Sequence, residues 1–542
     1  MPYFTGYMTA ISVSQGEALS AHVATRSNED CFVDIYRVTG CEDAHLFPKL
    51  SFVRRFGRIQ PHRLPPSAGG RRLSSGDADS EGCRWPKIDL LEEVPIDWPS
   101  GVYLAQFCSA AEPRARASDR AGEDALFIVR SGADRPESRI LCQVNVATWA
   151  AYHIWHNRSL YVGRTGDGQR FDDLRGSKAS FHRPGIGLCY PNEAILSPMP
   201  PKAAYIFAFI DWLERERISV DFCSGLDISA GGANLANYDA LVTIGHDEYW
   251  TADQLDAVRD FRNSGGHMIF FGGNLAFELV RETSDGSAIE CYKESGDSYS
   301  GDSHDDERGE GGELLDPLLT ASATLDARLT GPTWRVRHES TTPTTGVYNI
   351  TRRPGAPGEV LIGGAMWWWE MFGGPSRPQC GFTICDPDHW VFEGLEINQG
   401  DTFGAETKLI GHEADGLEVE IRDARPQLTF ADGALPGTRL LAVADGRKWG
   451  EWDFTAWPPT FSPGQQQTLG TYGGYVTMVY HEEPGKGMLF SAPTTDWVFG
   501  LVPSIDWTAT RSLEPPLLPT DPVVEQVTRN VLHACHKRGE RK

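Results

Sequence analysis

The segment from Asn237 to Arg281, NYDALVTIGHDEYWTADQLDAVRDFRNSGGHMIFFGGNLAFELVR, constrains this chain more than any other, because it sets usable polar side chains between two strands that read as fully buried. The apolar run Ala240 to Ile244 ends at Gly245 and is followed at once by His246, Asp247, Glu248 and Tyr249. Thr251 and Gln254 form a capping box, Leu255, Val258 and Phe261 recur at helical spacing, and Gly265-Gly266 supplies a stop, so a helix follows. His267 to Phe271 then reads as a second strand, completing a βαβ unit. In open α/β sheets ligands bind beyond the carboxyl ends of the strands, and both the HDEY run and the Gly272-Gly273-Asn274 turn fall on that edge. The plain alternative is that Asp247 and Glu248 only complement a helix N-terminus, where carboxylates are favoured by the dipole.

A chain of 542 residues exceeds what one hydrophobic core supports and implies about two to four domains. Its 40% hydrophobic content and 16 tryptophans belong to a folded globular protein, while a formal net charge of −24 argues against nucleic acid and anionic membranes as partners. The 11 cysteines are odd in number and show no CxxC pair; the nearest two, Cys380 and Cys385, lack zinc-ligand spacing. Reduced, mostly buried thiols, and so a cytoplasmic setting, are expected. The first twenty residues lack a basic-then-apolar signal pattern, and no run of ~18 apolar residues occurs to span a membrane.

Strand patterns with turn chemistry between them fill the opening, giving an all-β amino-terminal domain over residues 1–135 with a Pro-, Gly- and Ser-rich surface loop near 58–86. At Arg139 the pattern changes to a buried strand and an aromatic-rich segment, the start of an α/β domain whose first part covers 136–290. Within it Lys202 to Arg217 reads as a strong helix and Ile218 to Cys223 as a strand. Residues 291–435 form an acidic loop and β-rich excursion. The acidic part, Lys293 to Glu313, lacks EF-hand spacing and reads as solvated. Residues 436–542 return to α/β with three strands and a closing helix over Val523 to Lys537. The predicted fold class is therefore α/β plus all-β.

Tyr249, a phenol at a strand end beside His246 and two carboxylates, can ligate a hard trivalent metal, serve as an acid, or simply pack. No GxSxG elbow exists, and Ser491 after a strand lacks flanking glycines. Cys142, Cys223 and Cys291 lie in or beside apolar runs, as structural thiols do. GGNLAF matches neither phosphate-binding glycine pattern. His389 and Glu413 sit at turn-like positions that suit polar groups satisfying loop backbone. Trp367 to Trp369, followed by Glu370, can line an apolar pocket or pack as core and lid.

Ordered blocks along nearly the whole chain, including DWPSGVYLAQF, LCQVNVATWAAYHIWHNRSLYV, YDALVTIGHDEYW, GGNLAFELVR, DPDHWVFEGL and LIGHEADG, make it similar to the N,N-dimethylformamidase large (β) subunit family. The resemblance implies an amino-terminal β-sandwich, a glutamine-amidotransferase-like α/β domain and a β-rich excursion. It further implies hydrolysis of a small amide at a mononuclear iron held by two tyrosines and a glutamate, and a small partner subunit or self-association. Phenolates and a carboxylate suit Fe(III), which polarises a carbonyl and acidifies bound water. On this resemblance Tyr249 matches one tyrosine and Tyr205 is placed as the other. Glu294 and Glu310 both stand as candidates for the glutamate, and His246, Glu248 and Asn274 serve water activation, orientation and substrate positioning. The chain departs from the formamidase pattern at Asp247, where the family has proline, and in Asn274-Leu275-Ala276, where it has an Asn-Gly-aromatic turn. A binding protein without catalysis, carbohydrate-associated or otherwise, is the alternative from a different class.

Overall fold

The computed structural model describes residues 4–26, 28–64, 78–109, 123–132, 135–164, 170–171, 175–188, 200–276, 278–291, 365–368, 381–410, 413–417, 419–430, 434–445, 475–507 and 514–539. They form a mixed α/β structure with many strands in several sheets and few helices. The chain divides into two units, one of Met1–Ile195, Met199–Tyr238 and Val280–Lys293, the other of Leu196–Pro198, Asp239–Leu279 and Glu294–Lys542. No helix among the described residues is long and apolar enough to cross a membrane. The whole acidic loop at 293–313, with Glu294 and Glu310, and also Trp369 and Glu370 lie outside the described residues.

The first unit opens on β-structure, as the alternating apolar pattern predicts. Strands Ser12–Ser14, Ala125–Arg130, Gly101–Ser109, Cys31–Cys41 and Pro48–Ile59 neighbour one another in that order. A second sheet is built on Leu19–Thr25, which pairs antiparallel with both Phe4–Met8 and Lys87–Leu91. Phe4, Val23, Val33, Ile35, Tyr103, Phe107 and Phe127 share one buried core. Ile140–Val144 and Asp221–Ser224 pair in parallel, and the Ala204–Glu216 helix is apolar on nearly every side and correspondingly buried through Leu213.

The stretch read as a surface loop near 58–86 ends differently. Ala78–Glu81 is a short helix, and Ala78, Asp79, Cys83 and Trp85 are buried. Asp79 accepts the backbone N–H groups of Trp155 (2.8 Å), His156 and Arg158 (2.9 Å), and the Arg183 guanidinium at 2.9 Å. Arg183 is itself buried and also donates to the Ser180, His153 and Ala150 carbonyls. Burial pushes the Asp79 carboxyl up, but the Arg183 charge and the surrounding N–H groups outweigh it and hold the group below its ordinary range. A polar composition hid a residue that pins a whole loop.

In the second unit the strands run Ala240–His246, His267–Gly273, Leu489–Ser491, Tyr475–His481, Arg439–Asp445, Phe382–Ile384 and Thr402–Phe403. The first three are parallel and each later pairing is antiparallel, so the sheet is mixed. The crossover is the Ala252–Asn263 helix, begun by the expected Thr251–Gln254 capping box. The chain ends in a helix over Pro522–Gly539.

Replacing Asp79 by Asn leaves the buried Arg183 charge without its counter-ion. The first unit is expected to lose about 3–5 kcal/mol, measured as a fall in the urea midpoint of that unit.

Candidate functional site

The βαβ unit positions the candidate site through two glycines. Gly245 and Gly272 face each other in the parallel ladder, and a Cβ added to Gly272 would lie 2.4 Å from the Gly245 carbonyl oxygen. Gly245 also has φ +65°, a conformation that side chains resist. The two strands therefore approach closely at their carboxyl ends, and the next register pair, His246 with Gly273, brings the His246 side chain beside the turn that follows.

That turn is Asn274-Leu275-Ala276, with Asn274 at φ +51° and Ala276 at φ +46°. Both are left-handed without being glycine, a strained state that asparagine tolerates better than alanine. Its backbone is tied to the HDEY run: Ala276 N–H donates to the Asp247 carbonyl at 2.8 Å and Glu278 N–H to the Glu248 carbonyl at 2.9 Å. Leu275 N–H points the other way, to Asp415 Oδ2 at 3.4 Å.

The side chains converge on one atom. His246 Nε2 lies 3.1 Å from Asn274 Nδ2 and 3.2 Å from Glu248 Oε2, with His246, Glu248 and Asn274 all essentially inaccessible to solvent. A single imidazole nitrogen cannot both accept from an amide and donate to a carboxylate. The buried carboxylate makes the stronger claim, since a charge-assisted bond is worth about twice a neutral one. Nε2 then carries hydrogen, Asn274 turns its carbonyl oxygen toward it, and the lone pair of His246 is left on Nδ1.

The five sequence candidates thus divide. His246, Glu248 and Asn274 are brought together. Tyr249 follows directly as the first residue of a short strand, Tyr249–Thr251, and its ring is fully buried. Tyr205 is fully buried on the Ala204–Glu216 helix of the first unit. Among the described residues no group of three or more His, Cys, Asp or Glu side chains could hold a metal ion.

Asp415 is a residue that sequence reasoning passed over. In the LIGHEADG block the turn-like position singles out Glu413, whereas two residues later Asp415 is buried and accepts the Leu275 N–H of the Asn274 turn. Residues 414–417 are buried throughout, so no alternation in the sequence marks Asp415. His389 does satisfy loop backbone: its side chain accepts the Val391 N–H at 3.5 Å, capping a short 3-10 turn, and its ring meets Tyr480 at 4.7 Å. Cys142, Cys223 and Cys291 are buried free thiols, and burial pushes the Cys223 thiol up, away from a reactive thiolate.

Burial first, and then the Arg439 charge, lower the His389 pKa to about 4. The folded state holds this ring neutral, so its stabilisation is complete above the unfolded value near 6.5 and falls away as pH drops from about 6.5 to about 4. Wild type should lose on the order of 3 kcal/mol across that window. His389→Asn, which keeps a capping acceptor and removes the titration, should flatten the loss in urea unfolding at stepped pH.

Asn274→Ala should lower the stability of this unit by about 1–2 kcal/mol, combining a lost hydrogen bond with a left-handed alanine. Asn274→Gly, which relieves the backbone, should cost less. Equal losses in urea titrations would show that backbone strain at Asn274 is negligible.

A profile of the family described as N,N-dimethylformamidase beta subunit-like, C-terminal, matches residues 71–509. No curated protein matches the chain.

Proposed function

The chain belongs to the N,N-dimethylformamidase beta subunit-like family, and from that premise we propose that it is a hydrolase that cleaves the C–N bond of a small amide with water. The observation that carries the reading is the buried convergence of His246, Glu248 and Asn274 at the carboxyl edge of parallel strands. Sites of this kind are where perturbed acids and bases gather in α/β sheets.

In this reading Glu248 accepts from His246 Nε2–H, fixes the tautomer and stabilises the imidazolium as it forms. His246 Nδ1 takes a proton from the attacking water as its oxygen bonds to the amide carbon. The same proton passes to the departing nitrogen as the C–N bond breaks, giving a carboxylic acid and an amine. Asn274 orients the substrate through the amide hydrogens that do not face the ring. The dry surroundings strengthen each of these interactions.

We extend the proposal to a mononuclear iron held by hard oxygen donors, with Tyr249 as a phenolate ligand. Glu294 and Glu310, both outside the described residues, are the candidates for its carboxylate ligand. When bound, the metal supplies Lewis-acid polarisation of the carbonyl and a more acidic water. The family's description as a subunit supports a partner chain. The β-sheets of the first unit would be the family's sandwich, and the mixed sheet of the second part of its amidotransferase-like layer.

Iron content by elemental analysis, a visible tyrosinate-to-iron band and release of amine from formamides test the proposal together. Tyr249→Phe should bleach the band and abolish activity while stability changes by only about 1 kcal/mol. His246→Ala should lower kcat by about 10²–10⁴-fold. Iron-replete protein without the band, or a Tyr249→Phe variant of undiminished activity, overturns the metal assignment, and a wild type that releases no amine favours a binding role.

A further inference from the structure

We infer that Asp415 is a positioning residue for this site: it holds the strained Asn274-Leu275-Ala276 turn in place by accepting the Leu275 N–H, and so sets Asn274 against His246. The inference rests on the amide-hydrolase reading for its kinetic test only.

Three observations carry it. The turn is strained at both ends, with Asn274 and Ala276 left-handed, so it needs restraint from outside its own sequence. The HDEY run restrains one side of it, through the Asp247 and Glu248 carbonyls. Asp415 restrains the other, accepting the Leu275 N–H from a side chain that is 4% exposed. At 3.4 Å this is a long bond, but the acceptor is a carboxylate in a dry setting.

Asp415 is also held firmly enough to serve as a fixed point. Its strand, Glu413–Gly416, pairs antiparallel with Ala365–Trp368, where Asp415 stands opposite Met366. Asp415 N–H donates to the Pro493 carbonyl at 2.9 Å, Ala414 bridges to Thr494, and Leu417 N–H donates to Thr477 Oγ1 at 2.8 Å. Pro493 and Thr494 follow, after Ala492, the strand Leu489–Ser491, the parallel neighbour of the His267–Gly273 strand that leads into the turn. The carboxylate is thus referenced to the same sheet that carries His246, and a displacement of Asp415 passes to Asn274 through one backbone amide.

The test is a double-mutant cycle read in two ways. Asp415→Ala should lower kcat for formamide hydrolysis about 10- to 100-fold with KM nearly unchanged, as misplacing a supporting group does. Asp415→Asn, whose side-chain carbonyl still accepts from Leu275 N–H, should restore most of that loss. In an Asn274→Gly background Asp415→Ala should add almost nothing, because the side chain it positions is gone. An undiminished effect in that background, or equal losses for Ala and Asn, overturns the inference. If the wild type hydrolyses no formamide, the hydrolase reading fails and the inference is judged by hydrogen exchange of the peptide covering Leu275. There Asp415→Ala should speed exchange and Asp415→Asn should not; unchanged exchange in the Ala variant sinks it.

Discussion

The close parallel contact of Gly245 with Gly272 is the constraint on which the rest of the candidate site depends. Without side chains at that register pair the two strands come near enough for His246 and Asn274, 28 residues apart, to share a hydrogen bond. A methyl group at Gly272 would meet the Gly245 carbonyl and force the strand ends apart. The capping box at Thr251 then starts the crossover helix within two residues of Tyr249, so the polar run is fixed at both ends by backbone geometry. The chemistry sits on rigid elements, which is what orientation to fractions of an ångström requires.

Much of this was legible because local signals and tertiary structure agree. The Thr251–Gln254 box, the Gly265-Gly266 stop and the apolar strands are short-range features whose cost and benefit are settled within a few residues, and the structure follows them. The helix read over Lys202 to Arg217 forms over Ala204–Glu216 for the same reason. His246 and Asn274 were legible as neighbours because parallel strands bring their carboxyl ends to one edge.

What escaped the sequence depends on long-range partners. Asp79 belongs to a stretch whose composition reads as solvent-loving, yet Arg183, over a hundred residues later, draws it inside. The Arg183–Asp79 pair shows why composition fails here: a charge that would not be buried alone is buried once matched and hydrogen-bonded on every side. Asp415 escaped in the same way, since its partner is a backbone amide in a turn 140 residues earlier and amides leave no mark in a sequence. The short Tyr249–Thr251 strand was invisible because three residues are too few to show a period.

The energetics of the site also bear on the proposed reaction. A buried imidazole and carboxylate lose their hydration, and mutual attraction at 3.2 Å only partly restores it. Two left-handed residues beside them add strain of the order of 1–2 kcal/mol each. On the proposed hydrolase reading this cost has a use, because a base held dry and oriented by a carboxylate is prepared for proton transfer before substrate arrives. The cost in stability falls on the segment at the carboxyl edge and is offset by the fully buried strands on either side of it. That distribution, strain at the strand ends and apolar burial beneath them, is what separates a site from a core.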